Sequence, residues 1–348
     1  MPSTAFALYR FPYADRYIKL EGKTQEFLSC SQLNGMSGFV VAPFEAKAEQ
    51  PIVVIRPDKL ETVVLPANAG VTENAETSTP NTPTTDYAID FANFHAQLQQ
   101  GVFRKIVLAR TVDETMAVPT EPVELFYRAC SLYPRLFIAL VFTPQSGLWL
   151  TATPEILLEG GDGTWRTIAL AGTMKLEKDQ LGGEGETAMW STKNIEEQRI
   201  VATYIAECLE QFATDFREEG PRTVRAANLV HLRSDFTFTL PDDQHIGNLL
   251  GCLHPTPAVC GLPKREAFRF IISNEHVPRS YYSGFIGPLN VQQSTHLYVS
   301  LRCMSIDGDH CRLYAGGGLL KDSTERQEWQ ETEAKLETMR RCIATNRT

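Results

Sequence analysis

The chain has 348 residues, 43% hydrophobic and 22% charged, with a formal net charge of −9. That balance fits a globular protein with a sizeable core, and the lack of any basic run argues against a nucleic-acid partner. The N-terminal MPSTAFALYRFPYADRYIKL has no basic stretch leading into an apolar one, no apolar run nears a membrane span, and the eight cysteines include no C-x-x-C pair. A secretory signal, a membrane protein and a zinc site are therefore not expected, and a cytoplasmic protein with reduced thiols is.

Residues 1–65 are thin in apolar runs and read as extra strands on a larger body. Residues 66–88, rich in Thr, Pro and Asn, read as a mobile surface segment. The expectation is one body, with N-terminal strands and that segment over 1–88 and the main region over 89–348. DYAIDFANFHAQLQQG reads as a helix closed by Gly101. KIVLAR, RLFIALVF, GLWLTAT, EILLEG and TWRTIALAG read as strands, with turns at PQSG and GGDG, and together suggest an antiparallel meander. Residues 191–217 read as one long amphipathic helix. YYSGFIGPL, THLYVSLRCMSI and HCRLYAGG read as strands, the last two joined by an Asp307-Gly308 turn. A final helix is expected from near Asp322 to about Cys342, with Asp322 and Glu325 as a capping box. Neighbouring hairpins with helices between groups point to an α+β chain with large antiparallel sheets.

The last helix places Trp329, Leu336, Met339 and Ile343 on one apolar stripe, with Glu328, Glu331 and Lys335 beside it and Glu325 and Glu333 elsewhere. Glu331 and Lys335 also fit a plain surface pair at i,i+4. In the helix from 191, Val201, Ile205, Cys208 and Phe212 make the apolar stripe, and Glu197 sits on it. A carboxylate facing a core is costly unless it is paired, for instance with Lys193, or bound to a cation. Two helices each offering an inward glutamate suit an oxygen-seeking ion such as Mg²⁺.

These pieces form a longer pattern. KIVLAR with Lys105, TPEILL with Glu155, LAGT at 170–173, KNIEEQRIV with Glu197, LHPTPAVCG at 253–261, YYSGFIG with Tyr282, SLR with Arg302, AGGG at 315–318 and EWQET with Glu331 follow in order. The chain resembles the chorismate-utilising enzymes, and within them the isochorismate synthase branch, over roughly residues 90–340. The resemblance implies a single large domain with two antiparallel β-sheets wrapped by helices. It also implies Mg²⁺ as cofactor, chorismate as substrate and no need for more than a monomer. Relatives that use ammonia typically carry Gln at the position of Lys105, and aminodeoxychorismate synthases a Lys at that of Ala171, so this chain resembles the water-using branch. Gln198, where the pattern often has His, and Ser234, where Thr is common, depart from it.

The roles the resemblance implies are chemically coherent. Water adds at C2 of chorismate and hydroxide leaves C4, so a base and an acid are needed; Lys105 and Glu155 would take those roles. In isolation Lys105 reads as a strand-edge lysine and Glu155 as a turn residue. Glu197 and Glu331 would hold Mg²⁺, with Glu328 and Asn194 close behind. Arg302 and Tyr282 would take the enolpyruvyl carboxylate, on neighbouring strands. Gly172, Thr173 and Gly316 would offer backbone N–H groups, Lys335 would neutralise carboxylates, and His231 would lie near the ring. The alternatives are a salicylate synthase, which also expels pyruvate, and a non-catalytic chorismate-binding protein.

Overall fold

The computed structural model describes residues 4–66, 82–175, 189–226, 229–241 and 245–343. Most of the Thr/Pro/Asn-rich stretch, at 67–81, lies outside them. The chain opens with β1 (Ala5–Arg10), β2 (Arg16–Phe27), β3 (Gly38–Ala42) and β4 (Ile52–Val64). Helix α1 (Thr85–Gln99) is capped by Thr84, whose hydroxyl accepts from the Tyr87 N–H, and the chain leaves it through Gly101 at φ +76°. There follow β5 (Lys105–Thr115), α2 (Pro122–Leu132), β6 (Phe137–Thr143), β7 (Gly147–Thr153), β8 (Ile156–Gly161), β9 (Thr164–Lys175), α3 (Thr192–Leu209), β10 (Asp215–Ala226), β11 (Leu229–Thr239), α4 (Ile246–Leu253) and β12 (Gly261–Leu262). The chain continues through α5 (Lys264–Asn274), β13 (Phe285–Leu289), β14 (Thr295–Val299), β15 (Cys303–Asp307), β16 (His310–Leu319) and α6 (Glu325–Ile343).

The strands form one antiparallel sheet, not the two that the resemblance implies. Its order is β10-β11-β9-β8-β14-β13-β3-β4-β2-β1-β6-β7-β15-β16-β5-β12. The N-terminal strands supply the continuity: β3 pairs with β13 and β1 with β6, joining two groups of six strands that would otherwise be separate. The long sheet also curls back on itself. Leu170 of β9, third in the order, shares a buried cluster with Tyr314 of β16, fourteenth in the order. Helices α3 and α4 pack on one outer face, and α2 and α6 on another.

Four readings change with this topology. The meander from β6 to β9 is broken, because β7 pairs with β15 while β8 pairs with β14. Pro154, which has no N–H to donate to a ladder, stands where the chain crosses between them. The helix expected over 191–217 ends at Leu209, since residues from Asp215 pair with β11 through contacts such as Phe216 on Phe236. THLYVSLRCMSI is two strands, broken at Arg302, whose φ of +46° no ladder accommodates. The last helix opens at Glu325, three residues after Asp322, so these two residues form no capping box.

Candidate active site

Lys105 opens β5, which is paired on both sides, and its side chain is fully buried. It does not shield an edge. Its Nζ stands 2.9 Å from Oε1 of Glu197, a close ion pair without the alignment of a hydrogen bond. Glycine at 318 makes the pair possible: a Cβ there would lie 2.1 Å from Glu197 Oε1 and 2.8 Å from Lys105 Cε. The other carboxylate oxygen of Glu197 accepts the Gly172 N–H at 3.2 Å. Burial pushes the Glu197 carboxyl up, but Lys105, Lys193 and Lys335 outweigh it and leave the group below its ordinary value.

The other acids are also matched to ammonium groups. Lys193 pairs with Glu328 on α6, not with Glu197 one turn away. Lys335 donates to Glu331 Oε1 at 2.7 Å and to Gly316 O at 2.9 Å, so the i,i+4 pair exists but is half-buried, with Lys335 on the wall of a cleft. Burial and then Glu331 push the Glu328 carboxyl up to about 7 against the pull of Lys193, and its Oε2 has no hydrogen-bond partner. Glu333, which points away from this group, is buried between Arg110 and Arg340.

Glu155 follows Pro154 at the crossover and is 2% exposed. Burial pushes its carboxyl up to about 8, and the positive charges of Lys105, Lys335 and Arg302 offset this only in part. That shift favours the neutral acid near neutral pH. Both it and Glu197 line one cleft with about 620 Å³ of empty space, mouth included.

At the far end, Arg302 is buried, and burial draws its guanidinium down to about 10. Its Nη2 donates to His231 Nε2 at 2.6 Å. Because arginine only donates, Nε2 accepts, and the proton sits on Nδ1, which donates to Gly172 O at 3.1 Å. Burial and then Arg302 hold His231 well below its ordinary value, so the imidazole is neutral. Gly172 reaches both partners because β9 bulges: Thr173 and Ala171 pair with His231 and Leu232, and Gly172 between them pairs with neither, at φ +69°. Tyr282 and Arg302 sit in turns before β13 and β15 rather than on strands. The Tyr282 ring stacks on Tyr314, and its hydroxyl would be 2.8 Å from a Cβ on Gly316.

The fold thus brings Glu155, Gly172, Thr173, Glu197, His231, Tyr282, Arg302, Gly316 and Lys335 to the cleft wall, with Lys105 behind Glu197. Glu328 and Glu331 lie beside Gly317, where a Cβ would be 3.1 and 3.9 Å from their oxygens. Sequence reading missed the buried Glu275–Arg279 pair, in which Arg279 donates to Val107 O and Val259 O, both in residues of the cleft wall. Its only signal is opposite charges four residues apart. Gln198 was seen only as a departure from a pattern. Its side chain accepts from the Ala171 N–H at 2.9 Å and donates to Ala169 O at 3.1 Å and Ser234 Oγ at 3.3 Å. The two departures therefore touch each other and brace β9 just ahead of the bulge.

Among the described residues no three acidic, histidine or cysteine side chains are already gathered as a ligand cage. The donor chemistry nonetheless fits a hard divalent cation. Glu197, Glu328 and Glu331 offer only oxygens, one Glu328 oxygen is buried without a partner, and burial and then the nearby Glu331 push the Glu328 carboxyl up.

The family described as chorismate binding enzyme matches residues 49–344, and the chain belongs to it. It is 32% identical over 251 residues to the isochorismate synthase MenF of Escherichia coli K12, covering 71% of this chain and 57% of that protein. It is 30% identical over 262 residues to the isochorismate synthase DhbC of Bacillus subtilis, covering 72% of this chain and 66% of that protein. The chain therefore spans about three fifths of the length of these curated relatives. Its fold is similar to the crystal structure of a DhbC from Bacillus anthracis, at TM-score 0.83, 22% identity and coverage of 99% and 98% of the two chains. It is less similar to anthranilate synthase component I from Streptococcus pneumoniae, at TM-score 0.68, 17% identity and coverage of 91% and 80%. Among the described residues no helix is long and apolar enough to cross a membrane.

Proposed function

We propose that the protein is a Mg²⁺-dependent isochorismate synthase, supplying menaquinone or siderophore biosynthesis. The observation that carries this reading is a carboxyl, Glu155, buried in the cleft wall and pushed up to about 8, with the buried Lys105 close behind Glu197 of the same cleft. Loss of hydroxide from C4 of chorismate needs a proton donor there, and Glu155 is in the donating state. Lys105 serves as the base for the water that adds at C2. Arg302, steadied by neutral His231, receives the enolpyruvyl carboxylate, and Tyr282 and Gly316 shape that end. Glu197, Glu328 and Glu331 would hold the metal, whose chemistry is to neutralise the ring carboxylate. Charge supports the set: three glutamates offset Lys105, Lys193 and Lys335, and a divalent cation offsets the chorismate dianion.

Lys105 also bears on the nucleophile. Ammonia is already nucleophilic and needs no base, so a lysine here favours water. The test is incubation with chorismate and Mg²⁺ followed by chromatography and mass analysis. The reading requires an isomer of unchanged mass. Release of pyruvate with salicylate would move the protein to that alternative, and binding without turnover would make it a chorismate-binding protein.

A further inference from the structure

Outside the cleft, two free cysteines meet between helices. Cys208 lies near the end of α3 and is buried, while Cys252 lies in the last turn of α4 and is partly exposed. Their Sγ atoms are 2.7 Å apart. Lys264, first residue of α5, extends over the same spot: its Nζ donates to the carbonyls of Cys252 and, at 2.8 Å, His254, and lies 5.4 Å from the Tyr204 ring. Tyr204 in turn donates to Cys252 O at 2.7 Å. Burial draws the Lys264 ammonium down, and the nearby thiols of Cys208, Cys252, Cys260 and Cys30 act against that pull. Of these four thiols Cys30, Cys208 and Cys260 are pushed up and Cys252 alone is drawn down. The hydrogen bond with Cys208, joined by Lys264, draws the Cys252 thiol down to about 7 against burial, which pushes it up.

We propose that Cys208 and Cys252 form an oxidisable dithiol that reacts with low-molecular-weight disulfides and closes into a bridge between α3 and α4. Cys252 is the attacking group, because it is the exposed member of the pair. Its thiolate forms a bond to one sulfur of the incoming disulfide and expels the other as a thiolate. Cys208 then loses its proton and attacks the Cys252 sulfur, expelling the second small thiolate. The two protein thiols are oxidised by two electrons, and the small disulfide is reduced to two thiols. The bridge joins α3, which carries Glu197, to the end of α4, from which the chain runs directly to Ala258 and Val259 of the cleft wall. The proposal does not depend on what the cleft binds.

The experiment uses the reduced full chain with oxidised glutathione under native conditions, acid quenching, intact mass and peptide mapping. The expected result is loss of two hydrogens, a linked peptide pair containing Cys208 and Cys252, and full reversal by dithiothreitol. Cys208→Ser should retain one glutathione on Cys252, and Cys252→Ser should leave position 208 unreacted, with circular dichroism confirming that each variant is folded. A stable glutathione adduct on the wild-type chain, a bridge between other cysteines, or no reaction where a simple dithiol control oxidises would each overturn the proposal.

Discussion

Glu155 and Glu197 line the same cleft, and burial pushes both carboxyls up, yet they end in opposite states. Glu197 has Lys105 at 2.9 Å and the Gly172 N–H at 3.2 Å, contacts that stabilise negative charge directly. Glu155 shares the pull of Lys105, Lys335 and Arg302 but has no close ion pair with any of them, so burial wins and the carboxyl is pushed up to about 8. One protein interior thus favours the neutral form of one glutamate and the ionised form of the other, and the difference lies in which of them has a close cation.

Removing the cation they share breaks the comparison most severely. Lys105→Ala takes away the proposed base and the main counter-charge of Glu197. Turnover should fall by ~10²–10⁴-fold or more, with chorismate binding by calorimetry largely kept. A variant that retains near wild-type rate would remove Lys105 from the mechanism. Glu155→Gln should cost a similar factor and carries a pH signature. The donating form of Glu155 is lost as pH rises through about 8, so kcat/KM of the wild type should decline there, and the residual activity of the variant should not.

Glu197→Gln and Glu331→Gln test the anionic side. Each should raise the Mg²⁺ concentration for half-maximal activity by ~10-fold or more, with weaker Mg²⁺ binding by calorimetry in the absence of substrate. Activity that survives exhaustive chelation with EDTA would contradict the metal assignment. The smallest effect is expected at Gln198 and Ser234, which brace the bulge at Gly172 and, through His231, Arg302. Gln198→His should raise KM several-fold with little change in kcat. Because the two side chains touch, Gln198→His and Ser234→Thr together should depart from additivity by ~0.5 kcal/mol or more. Strictly additive effects would show that the contact carries no coupling.

The chemistry of this cleft was more legible in the sequence than its geometry. Glu197 stands out because a carboxylate on an apolar helical stripe demands an explanation, and the order of short segments around Lys105, Glu155 and Arg302 points to one pocket. Pairing partners were not legible. Helical spacing offers Lys193 to Glu197, whereas the fold hands Lys193 to Glu328 on α6 and gives Glu197 the lysine of β5. Nor does local pattern show that Arg302 interrupts an apolar run: its left-handed backbone costs on the order of 1–3 kcal/mol, offset by contacts with residues distant in sequence such as His231. The single sheet is hidden for the same reason, since β1 and β3 join its halves through pairings more than a hundred residues apart.

The most direct test of the central claim, that a neutral Glu155 and Lys105 serve addition of water, follows the nucleophile itself. Chorismate and Mg²⁺ are supplied in heavy-oxygen water containing saturating ammonium chloride at neutral pH, and the product is read by mass spectrometry. The account predicts isochorismate carrying one heavy oxygen at C2, with little or no aminated product. A dominant product containing nitrogen, or isochorismate without the label, would contradict it.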